Sequence, residues 1–126
     1  MIFFSAVVSP TVFASLNSKG SSKFLRTIFP RMFLFGFVIS LLAFILTILS
    51  NDLFNSILLI IIGLSFLLNR NYLTPLINKF RDQELEGNSK AAKNFKIMHL
   101  LSVLLFIINF FLLILVIVLN YINYNL

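Results

Sequence analysis

IMHLLSVLLFIINFFLLILVIVLNY, residues 97–121, decides the fold: 25 residues pass without one Asp, Glu, Lys or Arg. As an α-helix rising 1.5 Å per residue, the segment reaches roughly 37 Å, more than the hydrocarbon thickness of a bilayer at about 30 Å. Lipid offers the backbone no hydrogen bonds, so a segment of this kind satisfies its own amides and carbonyls as a helix. Moving outward along the chain, two more apolar runs cover residues 53–69 and 32–50, and a shorter one covers residues 1–16. Of the 126 residues, 60% are hydrophobic and 11% charged, with 16 Phe. A soluble domain carries about 25% charged residues, so the composition is incompatible with an ordinary water-soluble globule. The expected fold class is all-α, an integral membrane four-helix bundle. It forms a single domain over residues 1–126, with spans at about 1–16, 32–50, 53–69 and 97–121.

The first run is short for a span, since sixteen helical residues reach only about 24 Å. It opens directly on Ile2-Phe3-Phe4 without the basic flank of a signal peptide. The expectation is a first helix clipped at its N-terminus, with the natural start upstream.

The net charge is +6, and all ten cations fall in two segments. Lys19, Lys23, Arg26 and Arg31 lie between the first two runs, and Arg70, Lys79, Arg81, Lys90, Lys93 and Lys96 between the last two. The connection at Asn51-Asp52 has none, and neither does the chain after Lys96. By the positive-inside rule, loops 17–31 and 70–96 are cytoplasmic and both termini external. Cations that flank spans point to anionic lipid headgroups rather than to nucleic acid. Enrichment in Phe, Ile, Asn and Lys suggests a bacterial inner membrane.

Steps of three and four residues mark one face of a helix. On the last run such a series reads His99, Ser102, Phe106, Asn109, Leu113, Val116, Asn120, Asn123; on the second it reads Gly36, Ser40, Ala43, Thr47, Ser50. These stripes are packing seams, where small residues allow close approach and hydroxyls and amides bond across helices. The alternative is a polar path for a solute or proton. His99, the single histidine, is read as an interfacial side chain, or as a group for proton exchange or axial ligation. Met32, at a similar depth, is the second ligand a haem would need. Asp82, Glu84 and Glu86 read as a solvated, charge-balanced surface. Without cysteine there is no disulfide, thiolate metal site or cysteine nucleophile, and no phosphate loop, histidine cluster or paired nucleophile and base appears. An enzyme is therefore not expected.

Local signals place the breaks. Pro10 kinks the first run or opens a carbonyl, Pro30 suits the first turn of the second helix, and Pro75 breaks or bends the third as it leaves the membrane. Residues 78–85 extend the third helix or form a surface helix, Gly87 stops it, and Ser89 caps the next.

Four segments together carry a family resemblance. They are Val7-Val8-Ser9-Pro10-Thr11-Val12-Phe13; Phe24-Leu25-Arg26 with Phe29-Pro30-Arg31-Met32-Phe33; Tyr72-Leu73-Thr74-Pro75-Leu76-Ile77-Asn78 leading to Arg81-Asp82; and Phe95 with His99 and Ser102. In order and spacing they resemble the transmembrane-protein-205-like family, a four-helix membrane domain of unknown function, from residue 3 to about 115. That family is in turn distantly similar to copper-resistance-D membrane proteins and to haem-linked protoporphyrinogen oxidases, which use several His or Met positions. The resemblance implies that Pro10, Arg31, Pro75, His99 and Ser102 occupy recurring positions, and it brings no activity with them. The expected function is a non-enzymatic binding, assembly or small-solute-handling module, with no cofactor and with a homo-oligomer as its expected assembly. The alternative is a haem- or metal-linked redox protein using His99.

Overall fold

The computed structural model describes residues 3–125, so the first two residues of the run at 1–16 lie outside the described part. The described residues are helical almost throughout and contain no strand. The order is a π-turn at Phe4–Val8, α1 (Ser9–Ser15), α2 (Ser18–Leu49), α3 (Leu53–Leu68), a second π-turn at Asn69–Leu73, α4 (Thr74–Leu85) and α5 (Ser89–Asn125). Three helical runs are long and apolar enough to cross a membrane: α2, the continuous run Leu53–Leu85, and α5; Ala6–Ser15 is a shorter apolar helix. The chain is thus a membrane helical bundle.

The two hairpin turns use one device twice. After α2, Asn51 adopts φ 57° and donates its N–H to the Ile48 carbonyl, while the Asp52 N–H reaches the Thr47 carbonyl. After α4, Gly87 adopts φ 94° and donates to Glu84, while the Asn88 N–H reaches Gln83. This pattern satisfies the last carbonyls of a helix and favours Gly or Asn at the left-handed position. In each turn the next residue then caps the following helix. Asp52 Oδ1 accepts the Asn55 N–H at 3.1 Å, and Asn88 Oδ1 accepts from the Lys90 and Ala91 amides at 3.1 and 3.2 Å. The cap of α5 is therefore Asn88 and not the expected Ser89; an amide oxygen one residue earlier reaches the free N–H groups.

The first basic segment is helical rather than an open loop, and the second is helical on both sides of its turn, as expected for residues 78–85. Asn17 caps α2 by accepting the Gly20 N–H at 2.7 Å, and the helix runs on through Pro30. Pro30 is thus interior to a helix and not in its first turn. It lacks the N–H that would meet the Arg26 carbonyl. Pro10 and Pro75 do not end the helical run. Each stands second in its helix, directly after a π-turn closed by a bond from Ser9 N–H to Phe4 O and from Thr74 N–H to Asn69 O. The wider turn, with one extra residue, moves the preceding carbonyl out of the path of the proline ring.

α3 is the middle helix. Its run is 39% buried over the apolar window, against 11% for α2 and for α5. Phe33, Ile62 and Phe66 form the innermost apolar cluster, with Phe29, Met32, Phe37, Phe106, Leu112 and Leu113 against it. Residues 4–15 pack antiparallel to the first half of α2: Phe4 meets Phe29 edge-on at 5.3 Å, and the Ser21 hydroxyl lies 3.3 Å from the Val12 and Leu16 carbonyls. They therefore sit beside residues 18–29, not beside 32–50.

Candidate functional site

The candidate site begins with the seam between α2 and α3, where the small residues lie. A Cβ added at Gly36 would stand 2.8 Å from the Phe66 ring, and one at Gly63 would stand 3.0 Å from Ser40 Oγ. Ser40 is buried and donates to its own helix at Phe37 O (2.8 Å). Farther along, Thr47 Oγ1 lies 2.9 Å from Ser56 Oγ, which donates to Asp52 O at 2.7 Å. Gly36, Ser40 and Thr47 therefore stand together at one interface. The space found along it is about 30 Å³, bounded by Phe37, Ser40, Phe44, Leu59 and Gly63, enough for a water molecule and no more.

The second seam joins α3 to α5. The Ser102 hydroxyl donates to Asn69 Oδ1 at 2.6 Å. Asn69 is fully buried, its carbonyl oxygen also accepts from the Thr74 hydroxyl at 2.8 Å, and its Nδ2 has no acceptor. Because the chain turns back at residues 86–88, α3 and α5 run antiparallel, and each step of seven carries the pairing down the helices. Ile62 then stands level with Asn109, and Asn55 with Val116. Asn109 is 1% exposed and its Nδ2 also lacks an acceptor. Asn55 gives its side-chain N–H to Asp52 Oδ2 at 2.6 Å, and its own Oδ1 is buried without a donor. The α5 stripe is thus the packed face from Ser102 to Asn120, while His99 and Asn123 at its ends are exposed.

Asn69 and Asn55 are the residues that reading the sequence missed. The signal was present, since 55 and 62 on α3 and 69 just after it form the same seven-residue series that 102, 109 and 116 form on α5.

At the other end the two basic segments meet. Arg26 on α2 holds Asp82 on α4 with both guanidinium nitrogens, one at 3.0 Å. Arg81 pairs with Glu84 at 2.6 Å and lies over the Phe95 ring at 5.4 Å, and Phe95 stacks on His99 at 5.8 Å. The hydrogen bonds from Arg26 hold the Asp82 carboxyl below the usual carboxylate range and raise Arg26 in turn. A lowered carboxylate stabilises the fold above its unfolded value of about 3.9 and loses that contribution as pH falls through its folded value. The pair is largely solvated, so its weight is modest and salt-sensitive. α4 amides are expected to exchange faster at pH 3 than at pH 6 after correction for the intrinsic rate. Asp82→Asn is expected to exchange fast at both; equal corrected rates in the unmutated chain would remove the tie.

His99 and Met32 make separate contacts. His99 is exposed on α5 and stacks on Phe95 of its own helix, whereas Met32 is half-buried against the apolar cluster. Among the described residues no three His, Asp or Glu side chains group around a metal position. A haem fits this pair poorly, because one side chain faces outward and the other inward among phenylalanines.

The model of a domain of unknown function (DUF4149) matches residues 1–86. No curated protein matches the chain. No solved structure matches it either.

Proposed function

The chain belongs to the DUF4149 family, and we propose that it is a non-enzymatic, multi-pass membrane module for binding and assembly. One observation carries this reading: the seams are closed. Glycine against a phenyl ring, hydroxyl against hydroxyl and Ser102 on Asn69 leave about 30 Å³ between α2 and α3. Polar atoms engaged in this way fix helix positions, and a solute route would need a channel formed between copies of the chain. Self-association into a homo-oligomer belongs to the same proposal, as does the reading of residues 1–126 as one domain.

The proposed setting is a bacterial inner membrane with loops 17–31 and 70–96 on the cytoplasmic side, facing anionic headgroups, and both termini outside. The Arg26–Asp82 pair supports it, since it brings the two cation-bearing segments to one end. The likeness to the transmembrane-protein-205-like family through Pro10, Arg31, Pro75, His99 and Ser102 is in keeping with it and adds no reaction. The distant likeness to haem-linked proteins stays a reading of residue type.

The absence of cysteine makes the orientation directly testable. Single cysteines at Lys90 and at Asn123 are exposed sites at opposite ends. In intact cells a membrane-impermeant maleimide is expected to label the cysteine at 123 and to reach the one at 90 only after lysis. The reverse pattern would invert the topology, and labelling of both in intact cells would overturn it.

A further inference from the structure

The chain has four carboxylates, Asp52, Asp82, Glu84 and Glu86. All four lie on the continuous helical run Leu53–Leu85 or directly beside it. Arg70 sits inside that run, in the second π-turn. Asp82, the nearest of them in sequence, is twelve residues on, roughly 18 Å along the axis at about 1.5 Å per residue. That is beyond the reach of an arginine side chain, and Asp82 and Glu84 are already held by Arg26 and Arg81. No acid of the chain therefore balances the Arg70 guanidinium.

The Arg70 side chain is half-buried, and its Nε is shut off from water without an acceptor. Its hydrogen bond runs from Nη1 to Asn71 Oδ1, long at 3.3 Å and on the exposed side. The inner N–H has thus lost its water, while the Nη1 end lies at the surface. Arg31 and Lys96, the cations that border the other two long apolar runs, are exposed and keep their hydration. Of the three, Arg70 gains most from an anion supplied from outside the chain.

Depth narrows the class of anion. The apolar stretch 53–69 makes roughly 25 Å of helix, so Arg70 follows close to the end of a hydrocarbon layer of about 30 Å. A long basic side chain at such a position extends to the headgroups, where the phosphates lie. A planar guanidinium meets two phosphate oxygens at once. With six Lys and Arg in residues 70–96 alone, a headgroup carrying its own ammonium is disfavoured. We propose that Arg70 holds the phosphate of one anionic phospholipid at the cytoplasmic boundary, with Asn71 fixing the guanidinium. The proposal rests on the reading of the basic segments as headgroup-facing, and it assigns one fixed lipid to one of the ten cations.

Native mass spectrometry of the full chain in detergent, with phosphatidylglycerol and phosphatidylcholine present in equal amounts, reads which lipid is retained. The unmutated chain is expected to keep one phosphatidylglycerol in preference to phosphatidylcholine, and inorganic phosphate is expected not to displace it. Arg70→Gln is expected to cut that retention by about tenfold or more, the scale of one charge-assisted hydrogen bond. Arg70→Lys keeps the charge without the planar fork and is expected to restore only part of it. Arg31→Gln removes the same charge at an exposed site of similar depth, and a loss of about twofold at most is expected there, as for a solvated charge. Equal losses in Arg70→Gln and Arg31→Gln, or full retention in Arg70→Lys, would overturn the site and leave the headgroup reading standing. No preference for phosphatidylglycerol in the unmutated chain would overturn both. Displacement by inorganic phosphate would overturn the assignment to a lipid.

Discussion

Gly36→Leu is expected to lower the thermal midpoint of the purified protein sharply. The first added carbon already falls 2.8, 2.9 and 3.0 Å from three atoms of the Phe66 ring. That ring cannot swing away at little cost, being 3% exposed and held against Phe33 at 6.4 Å between centroids. The remaining three carbons of leucine then push α2 from α3 or force the ring off its rotamer. Overpacking of this kind costs about 1–3 kcal/mol and sometimes more. The double variant Gly36→Leu with Phe66→Ala is expected to recover part of the loss, because alanine opens the space that the leucine fills. A coupling of about 0.5–3 kcal/mol is typical of residues in direct contact. An unaltered midpoint in the single variant would mean that α2 and α3 are not fixed by this seam, and the assembly reading would lose its main support.

What the sequence revealed and what it hid divide along the range of the interactions. The long helix at 97–121 was legible because a charge-free run of that length has few other solutions. Its polar stripe was legible too, since a period of three and four residues is local information, and Ser102 and Asn109 do lie on the packed face. The hairpin turns were half legible. Gly87 and Asp52 announce a stop and a start, yet the choice between Asn88 and Ser89 as cap depends on which oxygen reaches the open amides. The helix in the first basic segment was hidden by charge: Lys19, Lys23 and Arg26 mark the end of a membrane span, not the end of a helix. Asn69 was half hidden for another reason. Its place in the series 55, 62, 69 is local, but its partner Ser102 lies 33 residues away, so no local pattern couples the two. The π-turns before Pro10 and Pro75 are likewise a hydrogen-bond register that side-chain periodicity does not carry.

Two substitutions on one stripe are expected to move stability in opposite directions. Ser102→Ala removes the donor at Asn69 Oδ1, at a residue that is 0% exposed and already has an unpaired Nδ2. A buried polar atom stripped of its partner costs about 1–3 kcal/mol, although measured bonds between membrane helices average nearer about 0.6. Asn109→Leu, seven residues on, does the reverse. Its Nδ2 is buried without an acceptor, so leucine of similar bulk removes an unsatisfied amide and puts carbon beside Ile62. The expected gain is about 1–2 kcal/mol, the unmet part of that same penalty. Unfolding midpoints of both variants in one detergent give the comparison, and only the sign is needed. If Asn109→Leu destabilises as much as Ser102→Ala, the Asn109 amide has a partner beyond this single chain, and the face is an interface between copies. If it stabilises while abolishing a measured solute flux, the amide is retained for transport at the expense of the fold, and the polar-path reading replaces the packing one. A stabilised variant with unchanged behaviour leaves the seam as what holds α5 in place.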